Sequence, residues 1–147
     1  MAHEDSSDLT GALMDLVGFL NSPRQDEALL KAAGVQLDRA LFPLLVRIAR
    51  LGPISVADLA EHVGRDPSTV SRQVARLVGL RLAARVEGPD RRMRPVGITE
   101  KGDRVMGALT AAREAMLNRV FADWSAADRA AFGRLNRRFV EGLKAMA

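Results

Sequence analysis

Gly64-Arg65-Asp66-Pro67-Ser68-Thr69-Val70-Ser71-Arg72-Gln73-Val74-Ala75-Arg76-Leu77 is the stretch on which the fold turns. Gly64 is a helix stop, and Asp66-Pro67 is an N-cap followed by proline at the first helical position, a strong start signal. Val70, Val74 and Leu77 recur at helical spacing, which predicts a helix to about Leu80 with those three inward. Upstream, Ser55-Val56-Ala57-Asp58 has the form of a capping box and opens a helix reaching about His62. Two short helices joined by a tight glycine-containing turn have helix-turn-helix spacing.

Downstream the pattern changes. Ala84 to Glu87 and Met93 to Ile98 read as short strands on either side of Gly88-Pro89-Asp90-Arg91-Arg92, a turn-rich connector. Pro95 makes its strand an edge or a bulge, as suits a projecting two-stranded hairpin. Upstream of the pair, residues 8–20 carry Leu9, Leu13, Leu16, Val17 and Leu20 at helical spacing. Asn21-Ser22-Pro23 ends that helix and opens a short one to Ala33, with Gly34 as its stop. Asp38 is then expected to cap a helix burying Leu41, Leu44, Leu45, Ile48 and Leu51, its start bent by Pro43. Thr99 caps a long helix over about 100–122 with two apolar stripes, which requires two packing partners. Ser125 to Asp128 caps a last helix with Phe132, Leu135, Phe139, Leu143 and Met146 in register. The fold class is therefore mainly α with a small β-hairpin, assembled from 147 residues, enough for one domain with a substantial core.

The charge is localised. Residues 65–94 hold eight arginines (65, 72, 76, 81, 85, 91, 92 and 94) against Asp66, Glu87 and Asp90, a net +5 in a chain of net +4. The remaining residues therefore net −1. A charge run is commonly only a solvated face. Here every basic side chain is arginine, the better residue for phosphate and base-edge recognition, which favours a polyanionic partner. With Val70, Val74 and Leu77 inward, Ser68, Arg72, Ala75 and Arg76 fall on the outer face, with Thr69 and Ser71 beside it. Short hydroxyl and alanine side chains allow close approach to a major groove, and Arg72 can reach a guanine edge or a phosphate.

Other chemistries find little material. The absence of cysteine excludes disulfides and thiolate metal sites, and the two histidines, His3 and His62, are far apart. No Ser–His–acid set or phosphate-cradling glycine loop appears, so neither an enzyme nor a cofactor is expected. An acidic start and no apolar run of about 20 residues give the expectation of a cytoplasmic protein with no membrane partner.

The order of helix, helix-turn-helix, hairpin and two long helices resembles the MarR family of winged helix-turn-helix transcriptional regulators over nearly the whole chain. Thr69-Val70-Ser71-Arg72 with Arg76-Leu77 is similar to that family's recognition-helix core. Asp90, Arg92 and Ile98-Thr99 match its wing signature, with isoleucine standing for leucine. The resemblance implies a single MarR-type unit over 1–147, with a winged-helix DNA-binding lobe at 36–99 and dimerisation helices at 8–21 and 100–147. It implies a homodimer that binds double-stranded DNA at a pseudo-palindromic operator and acts as a repressor. Ser68, Thr69, Ser71, Arg72 and Arg76 would serve the major groove. Arg92 would enter the minor groove with Asp90 orienting it, and Arg91 and Arg94 would meet phosphates. Leu9, Leu13, Leu16, Leu135, Phe139, Leu143 and Met146 would build the dimer interface, against an alternative reading as intramolecular core. A small, often aromatic, effector is also implied. Its lining residues are not readable: Phe42, Trp124 and Phe132 are aromatic candidates that each read more readily as core. Lacking cysteine and a histidine cluster, the chain offers no metal site and no thiol sensor.

One position departs from the family pattern. Leu80-Arg81-Leu82 stands where a glycine is expected before the apolar pair, with Gly79 two residues early. Either Arg81 takes a left-handed conformation or the helix end is remodelled, and Leu80 is left exposed. The competing function is a winged-helix module for protein or RNA partners without ligand response. The arginine window has no Phe, Trp or Tyr for base stacking, and a protein partner would not require an arginine tip.

Overall fold

The computed structural model describes residues 2–88 and 94–146, with side chains from residue 7 onward. Seven helices and a two-stranded sheet follow in the order α1 (Ala2–Leu20), α2 (Pro23–Ala32), α3 (Phe42–Leu51), α4 (Val56–Val63), α5 (Pro67–Gly79), β1 (Ala83–Arg85), β2 (Val96–Ile98), α6 (Glu100–Val120) and α7 (Ala126–Met146). The described residues form two compact units, Met1–Ala112 and Arg113–Ala147.

The core of the first unit lies among α3, α4, α5 and the sheet. Leu41, Leu44, Leu45, Ile48, Leu59, Val70, Val74, Leu77 and Val96 are fully or almost fully buried there, and Leu37, Val56, Val78, Ile98 and Val105 pack on its margin. Val70, Val74 and Leu77 thus face inward as their spacing predicts. Leu51 does not: it follows the buried stripe of α3 but lies at the helix end beside Gly52, and it is exposed.

Local chemistry sets the element ends. The Ser55 hydroxyl accepts from the Asp58 N–H (3.1 Å) and donates to the Asp58 carboxylate (2.7 Å), starting α4. Gly64, at φ 64°, ends it with the Arg65 N–H bonded back to Ala60 O. Asp38 differs from expectation. Its carboxylate accepts from the Ala40 N–H at 2.9 Å and shapes a turn, while α3 begins only at Phe42, with Pro43 in its first turn, where a missing N–H costs nothing. β1 and β2 are antiparallel, Ala83 opposite Ile98 and Arg85 opposite Val96, and Ile54 adds an isolated bridge to Val96.

Arg81 takes the first of the two courses its sequence left open. Its φ is 60°, the sole positive-φ non-glycine among the described residues. The Arg81 N–H bonds to Val78 O (2.9 Å) and the Leu82 N–H to Leu77 O (3.0 Å), the paired bonds of a Schellman stop built on arginine instead of glycine. Leu80 is left 43% exposed, as anticipated.

In the second unit, Phe121, Trp124 and Phe132 form a cluster of edge and tilted ring contacts with centroids 5.0–5.6 Å apart, and the Arg129 guanidinium lies 5.7 Å from the Phe121 ring centre. Trp124 and Phe132 are nevertheless about two-fifths exposed, so neither is core, whereas Phe42 in the first unit is buried.

Candidate nucleic-acid interface

α5 owes its exposed face to the way it is seated. Asp66 caps it: one carboxylate oxygen accepts from the Thr69 N–H (3.1 Å) and from the hydroxyls of Ser68 and Thr69. These bonds, the Ser68 hydroxyl foremost and then the Thr69 amide, hold the Asp66 carboxyl below the usual carboxylate range. With Val70, Val74 and Leu77 buried, Ser68, Ser71, Arg72, Ala75 and Arg76 are exposed and Thr69 is half-buried. The five α5 residues singled out from the sequence therefore lie together on the helix side turned away from the core or at its edge.

Two arginines dominate that face. Arg72 donates from Nη2 to Thr69 Oγ1 at 3.3 Å, which ties it to the capping network one turn earlier. Arg76 donates from Nη2 to Asp38 Oδ2 at 3.0 Å, with both side chains about half exposed. Both bonds leave most of each guanidinium's five N–H donors open. Arg65 belongs to the same basic window but has a different job. Its Nη1 donates to Ala40 O (2.7 Å) and Gln73 Oε1 (3.0 Å), half-buried, and so fastens the segment before α3 to α5.

Arg85, on β1, and Arg94, two residues before β2, are both exposed. Asp90, Arg91 and Arg92, expected at the tip, lie outside the described residues. The hairpin base is anchored to the start of α6. The Thr99 N–H bonds to Leu82 O (3.1 Å), Thr99 Oγ1 donates to Arg81 O (2.6 Å) and accepts from the Gly102 N–H (3.0 Å), and Lys101 Nζ donates to Leu80 O (2.9 Å). Gly102 is buried against this turn: a Cβ there would sit 2.2 Å from Leu82 O and 2.6 Å from Ile98 Cγ1. The carbonyls of Leu80, Arg81 and Leu82, just beyond α5, are thus bonded, and the turn after α5, the hairpin base and the start of α6 are locked together through one junction.

The sequence reading took Asp38 as a helix cap and Arg65 only as part of the basic window, and it missed Lys101 and Gly102. Only for Gly102 was there a local signal, a glycine in the first turn of a helix, where it costs stability unless close packing demands it.

The interface residues proposed for self-association are distributed over both units. Leu9, Leu16, Leu135, Phe139, Leu143 and Met146 are exposed and Leu13 is half-buried. Among the described residues no helix is long and apolar enough to cross a membrane, and no cluster of three or more metal-ligating side chains occurs.

Comparison with known proteins fits this geometry. A family model described as HVO_A0114 matches residues 37–100, the helix-turn-helix and hairpin. An HTH-type transcriptional regulator of Bacillus subtilis, YxaD, itself described as uncharacterized, is 32% identical over 110 residues, covering 71% of this chain and 77% of that protein. A MarR family protein from Bacillus stearothermophilus shares the fold over 98% of this chain and 99% of its own, with a TM-score of 0.81 at 21% identity. RV1404 from Mycobacterium tuberculosis aligns over 93% of both chains, with a TM-score of 0.74 at 27% identity.

Proposed function

From the premise that this chain belongs to the MarR family of winged helix-turn-helix transcriptional regulators, we propose that it is a homodimeric repressor that reads a pseudo-palindromic operator in double-stranded DNA. The observation that carries the proposal is the face of α5: short hydroxyl side chains and two long arginines, presented outward from a helix seated on Val70, Val74 and Leu77. Ser68, Thr69 and Ser71 let the helix enter a major groove closely, and Arg72 and Arg76 reach base edges or phosphates. One well-made arginine–guanine contact supplies about 1–3 kcal/mol of base discrimination. Arg92, oriented by Asp90, enters the adjacent minor groove, while Arg91 and Arg94 meet phosphates.

Dimerisation follows from two needs. One helix and one wing neutralise few phosphates, and two copies double the contacts. The exposed apolar residues of α1 and α7 need cover, and a second copy supplies it over 8–21 and 100–147, leaving 36–99 as the DNA-binding lobe. Release by a small aromatic effector and the repressor sign are carried from the family.

Selection of bound fragments from genomic or randomised duplex DNA tests the reading. The wild-type protein should enrich inverted half-sites about 10–10.5 base pairs apart, centre to centre, or a multiple of that spacing. Arg92→Ala should recover little DNA while remaining folded and dimeric, and Arg72→Ala should recover DNA with a degraded consensus. No enrichment by the wild-type protein overturns the proposal.

A further inference from the structure

Asp38 lies outside the helix-turn-helix proper, in the turn before α3, yet its carboxylate grips a residue of the reading face. The two oxygens are divided between two tasks: Oδ1 accepts from the Ala40 N–H at 2.9 Å and Oδ2 accepts from Arg76 Nη2 at 3.0 Å. The first bond matters for the second. A surface ion pair between two free side chains constrains neither, whereas a carboxylate pinned to its own backbone is a fixed acceptor. The Ala40 amide, and after it the Arg76 guanidinium, hold the Asp38 carboxyl below its ordinary range, so it stays charged at neutral pH. Arg39 also lies close, but its guanidinium is 4.0 Å from Glu27 and makes no hydrogen bond to Asp38.

We propose that Asp38 is a specificity-determining positioning residue, which directs the Arg76 guanidinium on DNA and restrains it from gripping phosphate indiscriminately. Arg72 and Arg76 stand one helical turn apart on the same face, and unrestrained like charges there splay apart. Arg76 tethered through one Nη keeps four N–H donors in a fixed plane for a single partner. Asp38 thus lowers affinity for arbitrary DNA and sharpens the choice among sequences.

The inference rests on the DNA-reading role proposed above, and the test separates the two. Affinity for a selected operator and for a scrambled duplex is measured against salt for wild type, Asp38→Asn, Arg76→Ala and the double variant. Asp38→Asn keeps an oxygen for the Ala40 amide and removes the charge, and Asp38→Ser serves as a second variant of the same kind. In the Arg76 background, either Asp38 variant should bind scrambled duplex more tightly, with a logarithmic salt slope steeper by up to about 0.9, one added phosphate contact. The operator-to-scrambled ratio should fall at least about fivefold, the lower end of one arginine–base contact. Combined with Arg76→Ala, the Asp38 substitutions should change neither slope nor ratio further. Equal effects with and without Arg76, or an unchanged ratio, overturn the inference. A wild-type protein without sequence preference fails the DNA-reading role itself, before any variant is compared.

Discussion

A methyl group at Gly102 tests the junction that ties hairpin to α6. An alanine Cβ there lies 2.2 Å from Leu82 O and 2.6 Å from Ile98 Cγ1, against a resting carbon contact of about 3.5–4.0 Å. Because the first of these is a backbone atom, the start of α6 must move by about 1 Å or more. That movement strains the Thr99 N–H to Leu82 O, Thr99 Oγ1 to Arg81 O and Lys101 Nζ to Leu80 O bonds. Overpacking costs about 1–3 kcal/mol, and each lost bond about 0.5–1.5 kcal/mol net. Alanine recovers at most about 1 kcal/mol of helix propensity. The net expectation for Gly102→Ala is a loss of about 2 kcal/mol, which lowers the thermal midpoint by about 4–8 °C at this chain length. Gly107 is the internal control. It lies five residues on in the same helix, exposed, with nothing within 4 Å of an added Cβ, so Gly107→Ala should raise the midpoint by about 2–4 °C. Circular dichroism at 222 nm, at one fixed protein concentration because association shifts the midpoint, reads both. A Gly102→Ala protein that melts at or above wild type refutes the reasoning.

Arg81→Gly should stabilise the protein by about 0.5–1 kcal/mol, since a left-handed arginine costs about 1–2 kcal/mol and glycine's extra chain entropy returns part of it. A lower urea midpoint would mean that the arginine side chain contributes a contact of its own. The Asp66 carboxyl is held low by its bonds to Ser68 and Thr69, so its contribution to stability is complete above the unfolded carboxyl range of about 3.9 and disappears as pH falls through its depressed folded value. Asp66→Asn should flatten the acid limb of unfolding free energy against pH; an unaltered limb contradicts this. Leu135 and Phe139 are 52% and 43% exposed on α7, and Leu135→Glu with Phe139→Glu should turn a dimer into a monomer by sedimentation and abolish operator binding. A persisting dimer would move the interface elsewhere.

Much of this was written locally. Caps and stops act over four residues, so Ser55, Gly64, Asp66, Thr99 and Ser125 announce their helices in the sequence, and helical spacing announces the inward face of α5. Asp38 shows where local reading fails. An aspartate before an apolar stripe reads as a helix cap, but its carboxylate serves a turn and reaches an arginine 38 residues away, a partner no spacing rule can supply. Arg65 reads as one more surface cation until the fold turns it toward Ala40 and Gln73. Gly102 looks like a weak point in a helix until the backbone of Leu82 is set against it. Arg81 is the intermediate case: the sequence identified the position and both possible outcomes, and the junction with Thr99 is what accompanies the left-handed one.

The most direct measurement is the equilibrium affinity of the wild-type chain for a selected duplex and for a scrambled one of equal length, between 50 and 200 mM salt. Two wings and two copies of α5 that neutralise 6–10 phosphates predict a fall of about three to five orders of magnitude across that range, with the selected duplex about a thousandfold or more tighter at physiological salt. Affinity that is flat in salt, or equal for both duplexes, would contradict the account.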